Sequence, residues 1–272
     1  MKRITESPSK YRHLEKMTIA ELTRAINTED KLVALAIEEC LPQINRLIEV
    51  IVNKLSKGGK MFYLGAGSGG RLSVLDIIEL PTTFGIEKGM VNTILAGGLE
   101  RLVEAREEME DNYHEGWERL QMANISDQDI VVGISASGTT PFVLGALEAC
   151  RGNKITTGCI VSNPNSPIAH YADFPVEIIT GPEFLTGSTR MKGGTAQKMI
   201  FDMISTTTMI RLGRVEDNKM VHVALVNDKI IDRSVNMILE KSNLKDYDVA
   251  KNLLLEKGSV KKVFDYLEDL KA

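Results

Sequence analysis

The sequence predicts an α/β protein built on a doubly wound parallel sheet of five strands with helices on both sides. From residue 60 onward, short β-type runs that end in glycine or serine alternate with helical stretches, an order typical of parallel sheets. The chain has 272 residues, of which 43% are apolar, enough for a good-sized core with helical additions. Such sheets bind ligands at the carboxyl ends of their strands, where the unusual loops of this sequence fall.

The elements follow one another in three predicted segments. An N-terminal helical segment (1–57) is predicted to hold two helices, at 20–27 after a Thr18 cap and at 31–55 after Thr28 and Asp30. The core (58–215) is predicted to hold five strands and a closing helix: 61–64, 91–95, 130–134, 157–161, 176–179 and 192–212. The C-terminal region (216–272) is predicted to be helical, as an appendage with helices at 228–241 and on either side of 257–259.

Composition argues against several classes of protein. The net charge is −4 without a lysine- or arginine-rich block, so we expect no nucleic-acid partner. No apolar run is long enough for a membrane span, and the first residues lack the apolar core of a signal peptide. Scattered cysteines without a CxxC pair indicate reduced thiols in a cytoplasmic protein, and isolated histidines predict no metal site.

The first unusual loop, GAGSGGR at 65–71, follows a predicted strand and opens a helix. Its glycines let the backbone approach a ligand, and the free N–H groups of the helix start attract an anion. We therefore assign Ser68 and Gly69 to phosphate binding. The alternatives are a plain turn or a dinucleotide fingerprint, since GxGxxG matches. However, AGG follows Leu95, where a ribose-binding acid is expected, so we predict no nucleotide cofactor.

Two further loops are rich in hydroxyl groups. The loop after the third strand is assigned to phosphate or sugar binding because each hydroxyl can donate and accept; its candidate residues are Ser135, Ser137, Gly138, Thr139 and Thr140. Capping of the next helix by a threonine is the alternative. In the third loop, TGSTRMKGGT (186–195), Ser188, Arg190 and Lys192 are candidate ligand contacts, with two solvated charges as the alternative.

Glu79 is a candidate general acid. The sequence predicts that a helix from Arg71 ends there, with Pro81 helping to stop it, and that Ile77, Ile78 and Leu80 make the surroundings apolar. The negative end of the helix dipole and desolvation would both favour the protonated carboxyl group, which a general acid needs. An exposed carboxylate at a helix end is the alternative.

Glu110 is a second candidate. A helical wheel started at Leu99 places Glu110 on the apolar face with Trp117, whereas most acids of this stretch lie opposite. A carboxylate on a buried face is costly without a partner or a function. An ion pair with Arg106, one turn earlier, is the alternative.

These motifs together resemble one family. The matching blocks run through most of the chain: GAGSGGRLSVLD (65–76), ELPTTFG (79–85), GISASGTTPF (133–142), GSTRMKGGTAQK (187–198) and NKMV (218–221). The chain resembles the N-acetylmuramic acid 6-phosphate etherase family of the sugar isomerase (SIS) domain superfamily. GSTRMKGGTAQK is the specific block, whereas the glycine loops are shared by SIS domains at large.

The resemblance implies a five-stranded SIS sheet, a homodimer with sites near the interface, and a lyase reaction on a sugar phosphate without metal or nucleotide cofactor. The reaction splits the C3 ether of N-acetylmuramic acid 6-phosphate into N-acetylglucosamine 6-phosphate and D-lactate. By resemblance, Glu79 is the acid at the lactyl oxygen and Glu110 the base at C2. The alternatives are a non-catalytic sugar-phosphate sensor, as in glucokinase regulatory proteins, and an isomerase.

Two departures from the family pattern bear on this interpretation. The family's first loop normally reads GAGTSGR, so Gly69 stands where a serine is expected. Its next block normally reads DASECPPTFG, whereas this chain has DIIELPTTFG, which puts bulkier apolar residues beside Glu79. Both changes favour the sensor, whereas the two retained glutamates favour the enzyme.

Overall fold

The computed structural model describes residues 3–102 and 107–270. The chain divides into two compact units. Unit 1 comprises Met1–Asp76 and Gly89–Ile204, and unit 2 comprises Ile77–Lys88 and Ser205–Ala272. The three-segment division predicted from the sequence stays a prediction. Within the described ranges, no helix is long and apolar enough to cross a membrane.

The predicted five-stranded parallel sheet is confirmed and forms the centre of unit 1. Its strands lie in the order β2-β1-β3-β4-β5. Their bounds agree with the predicted ones within two residues: β1 Met61–Gly65, β2 Val91–Leu95, β3 Ile130–Ser135, β4 Thr156–Val161 and β5 Phe174–Glu177. The chain crosses from β2 past β1 to β3, so the topological switch point lies between β1 and β3.

Both faces of the sheet are covered, which explains why the central strands β1 and β3 are buried along their whole length and are mainly apolar rather than alternating. On one face, Phe62 packs with Leu120 and Phe142 in a single buried cluster. On the other face, Tyr63 packs against Phe201 with ring centroids 5.0 Å apart. The helices of unit 1 surround the sheet: α1 Ile19–Ser56, the first part of α2 Gly67–Phe84, α3 Glu115–Met122, α4 Pro141–Gly152, α5 Pro167–Tyr171 and most of α6 Lys192–Arg211.

The N-terminal region holds one long helix, α1, where two were predicted. Its predicted start is confirmed, because Thr18 and Glu21 form a reciprocal capping box. Thr28 does not open a second helix; its hydroxyl donates to the carbonyl of Arg24 at 2.8 Å, within the helix. A threonine can satisfy its hydroxyl this way without breaking the helix, so its presence in the sequence was ambiguous.

Helix α2 corrects the prediction made around Glu79. The helix starts at Gly67 and continues to Phe84, with Pro81 inside it. It ends at Gly85, whose φ of 60° is in the left-handed region and whose N–H donates to the Pro81 carbonyl at 3.0 Å. Proline removes only one helical hydrogen bond, whereas a left-handed glycine stops a helix, so the glycine sets the end.

The continuous helix predicted from Leu99 to Trp117 is also wrong. The described part contains two 3-10 turns, Leu99–Arg101 and Glu107–Asp111, before α3 starts at Glu115. Asn112 marks the break, because its side-chain Oδ1 accepts the N–H groups of His114 and Glu115. This competition by an asparagine side chain is typical of turns and helix starts. The predicted partner Arg106 lies outside the described residues.

Unit 2 has a small core of its own. It contains the hairpin β6 Val215–Glu216 and β7 Lys219–Met220, and three helices whose bounds agree with the prediction: α7 Asp228–Lys241, α8 Tyr247–Lys257 and α9 Val260–Asp269. Gly258 separates the last two helices with a φ of 81°. Buried residues of all three helices, among them Val235, Leu254 and Val263, pack in one cluster.

Candidate active site

The loops after β1 and β3 meet at the topological switch point of the sheet. Gly65 at the end of β1 pairs with Ile134 near the end of β3. The loop that leads into α2 and the loop that leads into α4 therefore start side by side. Open parallel sheets bind ligands in the crevice at this point, and the sequence prediction that the two loops are neighbours is confirmed.

The loop from residue 135 to 140 is a compact hydroxyl network. The Ser135 Oγ lies 2.8 Å from the Thr140 Oγ1 and 3.2 Å from the Ser137 Oγ, and it accepts the Gly138 N–H at 3.0 Å. The Ser137 Oγ in turn accepts the N–H and hydroxyl of Thr139. Thr140 is the N-cap residue of α4, but its side chain makes no capping bond. The hydroxyl groups thus bond to one another, and that of Thr140 does not cap the helix.

A pocket of about 350 Å³ opens over these two loops. Its lining is mainly polar and comes from five separate parts of unit 1: Arg3, Glu6, Ser68, Gly69, Glu110, Asp111, Ile134, Ser135, Ala136, Ser137, Thr139, Thr140, Pro141, Gly187, Thr189 and Gln197. The structure therefore brings Glu110 together with the hydroxyls of the first two loops.

Glu110 reaches the pocket by a different route from the one predicted. It lies in the 3-10 turn Glu107–Asp111 and is half-buried, so it does not share a helical face with Trp117. Its neighbour Asp111 also lines the pocket. Two adjacent carboxylates beside a hydroxyl cluster can accept protons or hydrogen bonds from a bound polyol.

Gly69 is fixed by close packing. A Cβ added at Gly69 would lie 2.7 Å from the Ile134 Cγ2 and 2.9 Å from the Gln197 Oε1. Gln197 is buried and lines the pocket from α6. The space where the family pattern has a serine side chain is therefore occupied in this chain by the Gln197 amide and the Ile134 methyl group.

Lys192 of the third loop is not a solvated charge. Its Nζ lies 2.8 Å from the Glu29 Oε2, and the two side chains are only 2% and 4% exposed. Burial acts to raise the pKa of Glu29, but hydrogen bonds from Lys10 and Lys192 outweigh it and hold the pKa below its usual value. The charge of Lys192 is thus matched inside the protein, and Lys192 does not line the described pocket.

The N-terminus of α6 is capped by Glu183, a residue that the sequence analysis missed. The Glu183 carboxylate accepts the N–H groups of Lys192 and Gly193, each at 2.9 Å. Burial raises the pKa of Glu183, and the two N–H donors act against that shift. Of the other predicted contacts in the third loop, Ser188 is half-buried and Arg190 is exposed. The loop contributes Gly187 and Thr189 to the pocket lining instead.

Glu79 lies on the second half of α2, in unit 2, and is exposed. The helix continues past it, so it does not sit at the negative end of the helix dipole. Its neighbour Ile78 is 59% exposed, so the apolar surroundings predicted for the carboxylate are absent in the described single chain. Both premises of its assignment are therefore wrong, and its catalytic role stays a prediction.

The sequence analysis missed several lining residues. Arg3 and Glu6 come from the N-terminal segment, far in sequence from the strand-end loops. Gln197 lies within the recognised block GSTRMKGGTAQK, and its place in that block was the available signal. Nothing in the local sequence singles out Asn163, a fully buried amide that binds the loop carbonyls of Ala136 and Ser137.

The sheet order and the hydroxyl-lined pocket at its switch point define a SIS-type α/β protein. Two family models match the chain: "SIS domain" at residues 107–207 and "Glucokinase regulatory protein N-terminal SIS domain" at residues 43–151. Solved structures of similar fold include a phosphoheptose isomerase from Francisella tularensis, with a TM-score of 0.54, 16% identity, and coverage of 72% of this chain and 98% of that one. A phosphoheptose isomerase from Neisseria gonorrhoeae gives a TM-score of 0.51 at 16% identity, covering 70% and 98%.

Relatives of much higher identity narrow the class. An N-acetylmuramic acid 6-phosphate etherase from Bacteroides fragilis is 52% identical over 263 residues, which cover 97% of this chain and 93% of the relative. An N-acetylmuramic acid 6-phosphate etherase from Porphyromonas gingivalis is 50% identical over 259 residues, covering 95% and 94%. The chain belongs to the N-acetylmuramic acid 6-phosphate etherase family.

Proposed function

We propose that this protein cleaves the C3 lactyl ether of N-acetylmuramic acid 6-phosphate and releases N-acetylglucosamine 6-phosphate and D-lactate. The observation that supports this most directly is the pocket at the switch point, where Glu110 faces the hydroxyl loops. The pocket lies in a chain that shares about half its residues with etherases over nearly its whole length. We propose that the reaction uses acid and base groups of the protein and no metal or nucleotide cofactor.

The chemistry requires one base and one acid. In the ring-opened sugar, the C1 aldehyde acidifies the C2 proton, and Glu110 removes it. The C3–O bond then breaks as Glu79 protonates the departing lactyl oxygen, which leaves a double bond between C2 and C3. Addition of water across this bond places a hydroxyl on C3 and a proton on C2, so that the product is the amino sugar phosphate.

The phosphate is proposed to bind the loops at the switch point. Ser68 belongs to the first turn of α2, and Ser137, Thr139 and Thr140 present hydroxyl oxygens beside the start of α4. Hydroxyl donors and free N–H groups at helix starts are the usual ligands of phosphate oxygens. The second predicted group of contacts, Ser188, Arg190 and Lys192, stays a prediction.

We further propose that the protein acts as a cytoplasmic homodimer. Leu75 and Ile78 are exposed on the same helix face as Glu79, at the i, i+3 and i+4 positions that lie together. A second copy covering this face would give Glu79 the apolar surroundings that the single chain does not. Replacing Ile78 by lysine should then yield a monomer by light scattering and suppress lactate release. A wild type that is already monomeric, or a variant that stays dimeric, would contradict this interface, and a fully active monomeric variant would contradict the role of the second copy beside Glu79.

The function is tested by incubating the purified protein with N-acetylmuramic acid 6-phosphate and measuring D-lactate with a coupled dehydrogenase. We expect lactate and N-acetylglucosamine 6-phosphate in equal amounts. A protein that binds the sugar phosphate without lactate release and without exchange of the C2 proton would instead be a sensor.

The two glutamates are separated by proton exchange in D₂O. Glu110→Gln should slow both C2 exchange and lactate release by about a hundredfold or more, because a general base typically contributes that much. Glu79→Gln should block lactate release while exchange continues. Glu108→Gln is the matched control, since Glu108 is exposed on the same turn as Glu110 and does not line the pocket. Full activity in either test variant would remove that glutamate from the mechanism.

A further inference from the structure

An N-terminal strap, residues 3–11, lies against the loops of the pocket. Near its end, the Ser9 N–H donates to the Thr186 Oγ1 at 2.9 Å. The ring of Tyr11 packs on Phe184 with centroids 5.0 Å apart. These contacts tie the strap to the third loop and to the segment just before it, so the strap is part of the folded unit.

A buried amide ties the strap to the hydroxyl loop as well. The Oδ1 of Asn163 accepts the N–H groups of Ile4 at 2.6 Å and Thr5 at 3.2 Å. Its Nδ2 donates to the Thr5 Oγ1 at 3.0 Å and to the carbonyls of Ala136 at 3.2 Å and Ser137 at 3.0 Å. Since Asn163 is fully buried, these bonds have no competition from water and fix the strap relative to the hydroxyl loop.

The strap also supplies a charge that the pocket otherwise lacks. Within residues 3–102 and 107–270, the ionisable groups that line the pocket are the carboxylates of Glu6, Glu110 and Asp111 and the guanidinium of Arg3. A phosphate dianion entering beside three carboxylates needs a positive partner, since hydroxyls alone do not offset the repulsion. Among the residues that the structure describes, Arg3 is the cation that lines the pocket. A guanidinium suits phosphate because it can donate two parallel N–H groups to the phosphate oxygens.

We propose that Arg3 binds the phosphate group of the substrate and that Asn163 is a positioning residue that holds the strap in place for this contact. The inference rests on the proposed function in one respect, namely that the ligand is a sugar 6-phosphate. Asn163 links the strap to the carbonyls of Ala136 and Ser137 in the hydroxyl loop, which favours the phosphate end of the substrate over its lactyl end.

The test of Arg3 is binding of N-acetylglucosamine 6-phosphate by calorimetry. Arg3→Ala should weaken binding about tenfold or more. The affinity of Arg3→Lys should lie between those of the wild type and Arg3→Ala, because lysine keeps the charge but lacks the paired N–H donors of a guanidinium. Arg12→Ala is the matched control, since Arg12 directly follows the strap in sequence, is exposed and does not line the pocket. In steady-state kinetics, Arg3→Ala should raise KM and leave kcat nearly unchanged, because the phosphate does not change during the reaction.

Unchanged affinity in Arg3→Ala would overturn the proposal. A loss seen with N-acetylmuramic acid 6-phosphate but not with N-acetylglucosamine 6-phosphate would also overturn it, because Arg3 would then contact the lactyl carboxylate. If the wild type releases no lactate but Arg3→Ala still weakens binding of the sugar phosphate, the etherase proposal fails and the role of Arg3 stands.

The positioning role of Asn163 is tested by non-additivity. Asn163→Ala should weaken binding of N-acetylglucosamine 6-phosphate, and adding Arg3→Ala should cost little more, because a displaced strap no longer delivers Arg3. Thr5→Val removes one strap contact while leaving Asn163 in place, and it keeps the test available if Asn163→Ala does not fold. Fully additive losses in the double variant with Arg3→Ala would overturn the positioning role.

Discussion

The buried ion pair between Glu29 and Lys192 allows a quantitative test of how this fold is held together. Glu29→Gln replaces the carboxylate by a neutral amide and leaves the ammonium of Lys192, 2% exposed, without its counter-charge. Breaking a buried pair by removing one partner costs about 3–5 kcal/mol. Lys10, the second cation on Glu29, is 61% exposed and regains water, so Lys192 dominates the loss. We expect the free energy of unfolding in urea to fall by about 3 kcal/mol or more, with an unchanged m-value.

Two further variants isolate the cause. Asp202→Asn breaks the Lys198–Asp202 pair, whose side chains are 38% and 55% exposed, and should cost less than about 0.5 kcal/mol. Replacing both buried partners, Glu29→Leu with Lys192→Met, should recover most of the stability because no unpaired charge remains. If Glu29→Gln costs no more than Asp202→Asn, the burial argument is refuted.

The pH dependence of the same pair has a defined sign. The pKa of Glu29 is lowered from its ordinary value of 4.5, so the ionised form stabilises the folded state. That stabilisation is fully present above the unfolded pKa and is lost as the pH falls through the folded pKa. The stability difference between wild type and Glu29→Gln should therefore be constant near neutral pH and narrow as the pH falls below 4.5.

Three other substitutions or treatments probe separate parts of the chain. Gly69→Ser should cost about 1–3 kcal/mol by overpacking, and Gln197→Ala should relieve part of the loss in a urea titration. Gly85→Ala should lower the melting temperature more than Gly213→Ala: both positions have positive φ, but only at Gly85 would the added Cβ lie 1.9 Å from the His222 carbonyl oxygen. Burial raises the pKa of the Cys40 thiol to about 11 and the pKa of the Cys150 and Cys159 thiols to about 12. They should resist a thiol-specific disulfide reagent in the native protein at pH 8 and react on unfolding; fast native labelling would contradict their burial.

The strand-end loops could be recognised from the sequence because the signals are local. A strand buried on both faces appears as a short apolar run, and the glycines and hydroxyls that follow it are adjacent in the chain. The parallel order then brings the loops after β1 and β3 together without further information. Ser68, Ser135, Ser137, Thr139 and Thr140 were found in this way.

The arguments from helix position failed where a helix boundary depended on competing signals. Pro81 is tolerated inside α2, so Glu79 is not at a helix end. Asn112 interrupts the stretch for which the sequence pattern predicts one helix, and Glu110 reaches the pocket from a short turn. In both cases a single residue, Gly85 or Asn112, sets the helix boundary. The free-energy difference between continuing and ending a helix is small, so the sequence pattern alone does not predict the outcome.

Local patterns along the chain are enough to predict the fold class, the strand positions and the hydroxyl-rich loops, since each depends on residues that are neighbours in the chain. The positions and partners of the charged side chains depend instead on the folded chain, which buries Lys192 against Glu29, 163 residues away, and sets Arg3 beside the hydroxyl loop that follows β3. The physical reason is that apolar periodicity repeats along the chain and can be read locally. The partner of a charge, in contrast, is chosen by packing between distant segments, where burial makes an unmatched charge too costly to leave.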